Sequence, residues 1–253
     1  MASIERQTQI MEILEKNKII STSQLQKEIY CSTSTLRREL VKLEEEKKII
    51  RSHGEVRLAS TNNIEYNYLV RKVEQQEDKK IMADIAATFV TNNMSIFLDS
   101  STTVSSIIPY LIDYSNLTII TNGLEAALQL SRMKNVTLYF AGGYIKYNTS
   151  AALGDFTSDI IDNFNADIAF FSCRGLDNFG TYEASPEQAF IKKQMIINSK
   201  VKILLADATK FDNSHYFKLI PFQRIDTIIT NKEPSEDFLT TVKEYTEILW
   251  PGE

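Results

Sequence analysis

The spacing of apolar residues along the chain changes near residue 60. Before that point, apolar residues recur every three to four positions over residues 4–16 and again over Thr33–Glu46, which is typical of amphipathic helices. After it, short runs rich in Ile, Val, Leu and Phe alternate with longer helical stretches. The pattern therefore predicts two domains: a small helical one, and a larger one that mixes strands and helices.

The first sixty residues also contain helix and turn signals. Ser23 and the glutamine three positions later have the spacing of a capping box, so we expect a short second helix that ends near Tyr30. Ser32 is placed to cap the third helix, and residues 49–58 read as a hairpin around Ser52-His53-Gly54. Three helices and a hairpin are the outline of a winged helix-turn-helix, which we assign to residues 1–58.

A strand–helix alternation begins after a small, polar segment. We assign residues 59–75 to a linker, most clearly at Ala59–Asn63, and residues 76–253 to the second domain. Strands are predicted at Ser95–Leu98, Thr118–Thr121, Val136–Phe140, Asp167–Cys173, Val201–Ala206, Thr227–Thr230 and Thr246–Trp250. Helices are predicted near residues 77–91, 102–112, 124–133, 153–163, 185–198 and 235–244. This alternation indicates an α/β domain with a doubly wound, mainly parallel sheet covered on both faces.

Charge is divided unequally between the two parts. The chain has a net charge of −5, but residues 1–60 hold 11 Lys and Arg against 9 Asp and Glu, whereas residues 61–253 hold 17 against 24. DNA responds to the field of the surface that docks on it. An acidic total therefore does not exclude a DNA-binding first domain.

The composition argues against several classes of protein. Cysteine and histidine occur only at Cys31, Cys173, His53 and His215, so we expect no disulfide framework, no metal site and no cofactor. No apolar run reaches the ~18 residues of a membrane span, and the amino terminus lacks the pattern of a signal peptide. We therefore expect a cytoplasmic protein without a membrane partner.

Polar residues and glycines follow five of the predicted strands. In a doubly wound sheet the carboxyl ends of the strands lie at one edge, where ligands bind. The segments are Asp99–Thr103, Thr121–Gly123, Gly142–Gly143, Ser172–Asp177 and Asp207–Phe211. Hydroxyl groups at a helix start suit an anion, glycines allow close approach of the backbone, and Arg174 and Lys210 could meet the charge of a ligand.

Each of these segments also has a purely structural interpretation. The Ser100–Thr103 cluster taken alone favours plain helix capping, Asp207 could cap the turn after it, and Arg174 could be a surface residue. Arg37 and Arg38 could likewise belong to a solvated helix face. Five ligand-type loops at one edge favour a binding site, because independent capping would not choose a single edge.

The start of the third helix carries a specific motif. Ser32–Leu40 presents a hydroxyl residue, two variable residues, Thr, an aliphatic residue, two Arg, an acidic residue and Leu, and the segment of the wing reads Arg51-Ser52-His53-Gly54. In these segments the chain resembles DeoR-family transcriptional regulators. The resemblance extends over nearly the whole chain.

The second domain resembles the sugar-phosphate-sensing domain of that family, which is itself similar to ribose-5-phosphate isomerases. The resemblance implies that the Ser100–Thr103 loop holds the phosphate together with Lys79 and Lys210. It implies contacts to sugar hydroxyls for Asp99, Asn122, Asp177 and Glu187. The candidate effector-binding residues are Lys79, Asp99, Ser100, Ser101, Thr102, Thr103, Asn122, Gly123, Gly142, Gly143, Arg174, Asp177, Glu187, Asp207 and Lys210.

The first domain is expected to bind double-stranded operator DNA. The third helix would enter the major groove, with its first residues and Arg38 near base edges and other basic side chains at phosphates. The candidate DNA-binding residues are Ser32, Thr33, Ser34, Thr35, Arg37, Arg38, Lys42, Arg51, His53 and Arg57. Helix-turn-helix proteins usually dock as dimers, so we expect a homodimer or homotetramer. Because effector binding commonly releases the operator in this family, the resemblance implies a repressor of a carbohydrate-metabolism operon.

Two other functions stay open at this point. A sugar-phosphate isomerase would use Asp177 or Glu187 as general base, with a cation to stabilise the enediolate. Alternatively, the winged helix would bind a protein instead of DNA. We favour the regulator over the enzyme, because an isomerase has no need of a helix-turn-helix module carrying Arg37 and Arg38.

Overall fold

The computed structural model of the chain describes residues 3–17, 19–46, 48–52, 54–58, 68–147 and 149–252. The chain divides into two units, Met1–Ile64 and Glu65–Glu253. The segment Ala59–Asn63, predicted as linker, lies outside the described residues. Residues 68–73, which fall in the second half of the predicted linker, form a short helix of the second unit.

The first unit consists of three helices and a three-stranded antiparallel sheet. In chain order its elements are α1 (Ser3–Asn17), β1 (Ile19–Ser21), α2 (Thr22–Ile29), α3 (Thr33–Glu45), β2 (Ile49–Ser52) and β3 (Glu55–Leu58). β3 lies between β1 and β2, and the hairpin pairs Ile49 with Leu58. The three helices and the hairpin are confirmed. Strand β1 was not predicted, because three residues are too few to show an alternating pattern.

The helices of this unit pack through their apolar faces. Leu14 of α1, Leu25 of α2 and Leu40 and Leu43 of α3 are buried in one cluster with residues of the hairpin. Each buried leucine contributes roughly 1.5–3 kcal/mol relative to an exposed one. This packing fixes which face of α3 is buried and leaves the opposite face to solvent.

Two serine caps define the helix-turn-helix. Ser32 Oγ accepts a hydrogen bond from the Thr35 N–H at 3.2 Å, which confirms the predicted cap of α3. The prediction that Ser23 caps α2 is wrong: Ser21 Oγ accepts from the Gln24 N–H at 3.2 Å. Ser21 ends β1 and already has the extended backbone that a capping residue needs, so the helix begins two residues earlier than expected.

The second unit is built on a seven-stranded sheet. The strands of the whole unit, including those of two smaller sheets, are β4 (Ser95–Leu98), β5 (Leu117–Thr121), β6 (Val136–Phe140), β7 (Tyr144–Ile145), β8 (Ala152–Leu153), β9 (Ala166–Ser172), β10 (Gly175–Asp177), β11 (Gly180–Glu183), β12 (Ser199–Leu205), β13 (Phe217–Lys218), β14 (Thr227–Ile229) and β15 (Glu247–Leu249). The large sheet has the order β15-β14-β12-β9-β4-β5-β6, and all of its neighbouring strands are parallel. The predicted parallel sheet is confirmed.

Helices pack on this sheet. They are α4 (Tyr68–Val73), α5 (Gln76–Ala87), α6 (Thr102–Ser105), α7 (Leu124–Leu130), α8 (Asp155–Asp162), α9 (Pro186–Ile197) and α10 (Glu236–Val242), with 3-10 helices at Ile108–Asp113, Ala208–Lys210 and Phe222–Arg224. Within β4, Ile96 and Leu98 belong to one core cluster and Phe97 to another, so apolar residues are buried on both faces. Within the described part of the chain, no helix has the length and apolar character needed to span a bilayer.

Three details of this unit differ from the sequence prediction. The helix predicted at 102–112 is divided into α6 and a 3-10 helix, because hydroxyl groups of Ser105 and Ser106 bond to backbone carbonyls and Pro109 lacks an N–H. An antiparallel sheet of β10, β11 and β13 and a β7–β8 hairpin were not predicted. Their strands have two to four residues, too short for a periodic signal.

Candidate functional site

The strand order creates a switch point between β4 and β9. From β4 the chain continues to β5 and β6 on one side, whereas β9 leads to β12, β14 and β15 on the other. The loops after these two neighbouring strands therefore diverge at their carboxyl ends, which is where doubly wound sheets bind ligands. Asp99 follows β4, and Ser172 is the last residue of β9.

Asp99 joins the two diverging loops. It is fully buried, its Oδ1 accepts a hydrogen bond from the Ser101 N–H at 2.8 Å, and its Oδ2 accepts one from the Ser172 N–H at 2.9 Å. Lys192 Nζ lies 3.2 Å from Oδ2. Because both of its oxygens are engaged, Asp99 holds the backbone of the crevice in place.

A buried lysine completes this network from α9. Lys192 Nζ donates to the Ser172 carbonyl at 2.7 Å and pairs with the carboxylate of Glu183 on β11. Burial opposes the charged form, but the carboxylates of Glu183 and Asp99 outweigh it and raise the pKa of Lys192. The ammonium therefore stays protonated. Neither Lys192 nor Glu183 was among the predicted site residues.

Lys210 closes the crevice from the side of β12. Its Nζ donates to Ser172 Oγ at 2.7 Å and to Thr103 Oγ1 at 3.4 Å, and lies 3.8 Å from Asp207 Oδ2. Asp207 caps the 3-10 turn by accepting from the Thr209 N–H at 3.0 Å, as its capping interpretation predicts. Burial acts against the charged carboxylate, but Lys210 and the hydrogen bonds of Thr209 lower the pKa of Asp207 overall.

Lys79 reaches the same region from α5. Its side chain is buried, and its Nζ donates to the carbonyls of Arg71 and, at 2.7 Å, of Glu74. Thr102 Oγ1 donates to the same Arg71 carbonyl at 3.4 Å. Burial, and after it the charge of Lys210, lowers the pKa of Lys79 to about 8. Lys79 and Lys210 disfavour each other's charge, and Asp207 favours both, so two cations face one carboxylate here. The excess positive charge favours the binding of an anion.

The Ser100–Thr103 loop lies between these lysines. Ser101 Oγ caps α6 by accepting from the Val104 N–H at 3.2 Å, and Ser100 Oγ donates to Gln188 Oε1 of α9 at 3.4 Å. α6 has only four residues, so its dipole is small. The threonine hydroxyls and the lysines, rather than the helix end, are the groups suited to an anion.

The loop after β5 lies against the hydroxyl loop. A Cβ on Gly123 would lie 3.1 Å from Ser100 Cα, so glycine permits the close approach. Asn122 is buried; its Nδ2 donates to the Ala152 carbonyl at 3.0 Å, whereas its Oδ1 has no hydrogen-bond partner. A buried acceptor without a partner is costly, so a donor that reached Asn122 Oδ1 would be stabilised.

The segment after β6 contributes two glycines and reaches α9. Gly142 is half-buried, and Gly143 has φ 155, where a Cβ would lie 2.5 Å from the Leu153 carbonyl oxygen, so only glycine fits. Glu187, at the start of α9, lies with its Oε2 3.7 Å from Lys146 Nζ. A hydrogen bond from its own backbone N–H, with a smaller effect from Lys146, lowers the pKa of Glu187.

The Arg174–Asp177 segment belongs to the β10–β11 hairpin. Asp177 Oδ1 accepts from the Phe179 N–H at 2.8 Å and from the Tyr182 hydroxyl at 3.0 Å, both within that hairpin. Arg174 is half-buried, and its N–H donates to the Tyr182 carbonyl at 2.8 Å. These contacts place Asp177 in a local turn and do not connect it to the lysines of the crevice.

The first unit presents a basic face on α3. Arg37, Arg38 and Lys42 are exposed, as are Thr33 and Ser34 at the start of the helix. Their neighbours on the opposite face are the buried leucines described above. This is the arrangement that a helix needs to reach a nucleic-acid groove while it stays packed.

The remaining predicted DNA-binding residues differ in exposure. Ser32 and Thr35 have their hydroxyl oxygens 2.8 Å apart at the cap of α3. Arg57 on β3 is exposed, whereas Arg51 is half-buried, with its Nε 3.1 Å from Glu44 Oε2. His53 lies outside the described residues.

A helix-turn-helix unit and an α/β unit with two lysines and a hydroxyl loop at its switch point, on one chain, are typical of a ligand-responsive DNA-binding regulator. The model of the DeoR-like helix-turn-helix domain matches residues 6–62, and that of the DeoR C-terminal sensor domain matches residues 74–232. The chain belongs to the DeoR family of transcriptional regulators. This confirms the resemblance and favours the regulator over the isomerase, because the family is not one of enzymes.

The similarity to named regulators extends over 90% or more of the length of three relatives. The chain is 32% identical over 232 residues to the uncharacterized HTH-type transcriptional regulator YulB of Bacillus subtilis, covering 91% of this chain and 90% of the relative. It is 27% identical to the glycerol-3-phosphate regulon repressor of Escherichia coli, covering 97% of both chains. It is 29% identical to the HTH-type transcriptional repressor GlcR of Bacillus subtilis, covering 92% of this chain and 90% of the relative.

Proposed function

We propose that the protein is a repressor of a carbohydrate-metabolism operon and that a phosphorylated sugar releases it from its operator. Two relatives named as repressors, one of a glycerol-3-phosphate regulon and the other GlcR, support this proposal. The proposed activity places the protein in the cytoplasm, where operator DNA and phosphorylated metabolites are found together.

The observation that carries the proposal is the pair of lysines at the switch point. Lys79 and Lys210 approach the same hydroxyl loop from different elements, and the charge of Lys210 helps to lower the pKa of Lys79. A phosphate group would accept hydrogen bonds from both ammonium groups and from Thr102 and Thr103, and its negative charge would relieve their repulsion. A neutral sugar would leave this repulsion in place.

The sugar part of the effector would lie toward Asn122. Its buried Oδ1 lacks a donor, so a sugar hydroxyl would satisfy it. Glu187 and Gly142–Gly143 supply further polar groups on that side. Asp99 is fully engaged by backbone N–H groups and Lys192, so we propose that it positions the loop and does not contact the sugar directly.

On the DNA side, we propose that α3 enters the major groove. The side chains of Thr33, Ser34 and Arg38 would face base edges, and Arg37 and Lys42 would meet phosphates. A homodimer or homotetramer would present two such helices to a two-fold symmetric operator. Arg51, His53 and Arg57 of the wing would add contacts to the phosphates of the DNA backbone.

The proposal is tested by thermal unfolding of the full chain with a panel of sugars and their phosphates. A ligand at about 100 times its dissociation constant stabilises a protein by ~2.7 kcal/mol, which gives a clear rise in Tm. We expect a rise with at least one phosphorylated sugar and none with the unphosphorylated form of the same sugar.

Lys210→Met should abolish the rise in Tm, and Lys218→Met, an exposed lysine on β13, should keep it. A panel in which phosphorylated and plain sugars behave alike would contradict the proposal.

A further inference from the structure

Helix α4 is packed on the rim of the candidate effector site. It is the first described element after β3, and residues 59–67 connect the two. The Tyr68 side chain is 2% exposed, and its hydroxyl bonds with Ser105 of α6. Lys72 Nζ lies 3.7 Å from Glu125 Oε2 of α7. The helix is therefore held by contacts to the elements that follow β4 and β5.

The carboxyl end of α4 occupies the donors of the crevice. Lys79 Nζ, which can donate three hydrogen bonds, donates two of them to the carbonyls of Arg71 and Glu74. Thr102 Oγ1 donates to the Arg71 carbonyl at 3.4 Å. Lys79 and Thr102 are two of the groups that the proposed function assigns to the phosphate. The last carbonyls of a helix have no partner within the helix, so these donors also satisfy the end of α4.

A phosphate and the end of α4 require the same groups. Both present oxygen acceptors with negative charge or partial negative charge, and both take hydrogen bonds from an ammonium and a hydroxyl. Carbonyl oxygens at Lys79 Nζ would also repel a phosphate dianion in a buried crevice, where charges are poorly screened. The two acceptors therefore exclude each other.

We propose that α4 is an internal competitor of the effector: the carbonyls of Arg71 and Glu74 occupy the anion site in the free protein, and the phosphate group displaces them. The proposal rests on the proposed function, since it takes the phosphate to bind at Lys79 and Thr102. It adds a route for regulation. The linker from the DNA-binding unit enters the sensor unit at α4. When the bound phosphate displaces α4, it therefore also displaces the end of the linker that is joined to this helix.

The test is hydrogen exchange of backbone amides in the full chain, measured by mass spectrometry with and without inorganic phosphate. Chloride at the same ionic strength is the control. If phosphate displaces α4, amides of residues 69–75 exchange faster when phosphate is bound, while those of β4 and β9 exchange more slowly or at the same rate. Slower or unchanged exchange of residues 69–75 with phosphate bound overturns the proposal.

Variants of Tyr68 test the same competition from the other side. Tyr68→Ala removes the anchor of α4, so it should bind phosphate about tenfold more tightly, because the competing state is no longer populated. Tyr68→Phe loses only the bond to Ser105, folds with less risk, and should change affinity in the same direction by a smaller factor. Tyr245→Ala, a half-exposed tyrosine in the turn after α10, should leave affinity unchanged. Weaker or equal binding by both Tyr68 variants overturns the proposal.

The outcomes separate this inference from the proposed function. If neither phosphate nor any sugar phosphate raises the Tm of the full chain, the anion site itself is wrong and the inference falls with it. If Tm rises but residues 69–75 stay protected and Tyr68→Ala gains no affinity, the site stands and only the role of α4 is overturned.

Discussion

On α3 the side chains of Arg37, Arg38 and Lys42 are exposed, whereas at the carboxyl edge of the sheet Asp99 and Lys192 are buried and bonded to each other. The two surfaces suit different ligands. DNA is a large polyanion, and its binding to exposed cations releases counterions. The cationic side chains therefore do not need to be held in one orientation beforehand. A small effector needs groups that are already oriented, since it offers few contacts to offset the cost of ordering them.

This difference predicts how the two surfaces respond to substitution. On the exposed face of α3, replacing a cation removes a contact to DNA and leaves folding nearly intact, because surface charges contribute little to stability. At the sheet edge, replacing a buried charge leaves its partners unpaired. Effects on binding and on folding are therefore separable at the first surface and coupled at the second.

The largest expected effect is that of Lys192→Ala. The substitution leaves Asp99 and Glu183 buried without their cation, so we expect the free energy of unfolding to fall by about 3–5 kcal/mol. Lys193→Ala is the matched control; its ammonium lies 5.1 Å from the Phe217 ring centroid, and its loss should cost less than about 1 kcal/mol. Urea unfolding measures both. Similar losses for the two lysines would refute the coupling at the sheet edge.

The next effect in size concerns the double variant Thr102→Ala with Thr103→Ala. Each hydrogen bond to a charged group contributes roughly 1.5–3 kcal/mol, so the effector should no longer bind at useful concentrations while DNA binding is kept. Titration calorimetry and a gel shift measure the two properties. The control is the pair Thr240→Ala with Thr241→Ala, two adjacent exposed threonines of α10. A retained response to effector would contradict the phosphate contact at Thr102 and Thr103.

A smaller and more selective effect is expected on α3. Arg37→Ala should weaken binding to all DNA sequences alike and reduce the salt dependence by about one phosphate contact. Arg38→Ala should cost about 1–3 kcal/mol at the operator and relax preference at one base pair. Fluorescence anisotropy at several salt concentrations distinguishes them, with Arg132→Ala of the sensor unit as control. A sequence-selective loss in Arg37→Ala would exchange the two roles.

The smallest expected effect is a pH dependence. The pKa of Lys79 is lowered to about 8, so its ammonium is charged below that pH and loses its proton above it. A phosphate monoester has its second pKa at about 6, so it stays a dianion between pH 7 and pH 9. Effector affinity should therefore fall between pH 7 and pH 9, by at most about tenfold. Titration calorimetry should show this slope in the native protein and its loss in Lys79→Met; an unchanged slope in the variant would assign it to another group.

The sequence was sufficient for features that repeat over several residues. Long apolar faces predicted α1, α3 and α9, and apolar runs predicted the seven strands of the large sheet. Placing loops at the carboxyl edge needed only the rule for doubly wound sheets. The structure brings Lys79, Thr103 and Lys210 to one crevice, although Thr103 lies 24 positions after Lys79 in the chain and Lys210 lies 107 positions after Thr103.

Features that depend on tertiary packing could not be predicted in the same way. Of the adjacent pair Lys192 and Lys193, only Lys192 is buried, and its carboxylate partners come from distant elements. A signal did exist: Ala189 and Met195 mark the buried face of α9, and Lys192 lies between them on that face. The contacts of Lys79 and Thr102 to the end of α4 have no such signal, because they are made to backbone carbonyls, which every residue carries.

The central claim is that one chain couples the binding of DNA to that of a phosphorylated sugar. Its most direct test is the affinity of the full chain for the sugar phosphate, measured with and without saturating operator DNA. Coupling is reciprocal, so the operator should weaken effector binding by the same factor by which the effector weakens operator binding. Equal effector affinities in the presence and absence of operator would contradict the claim.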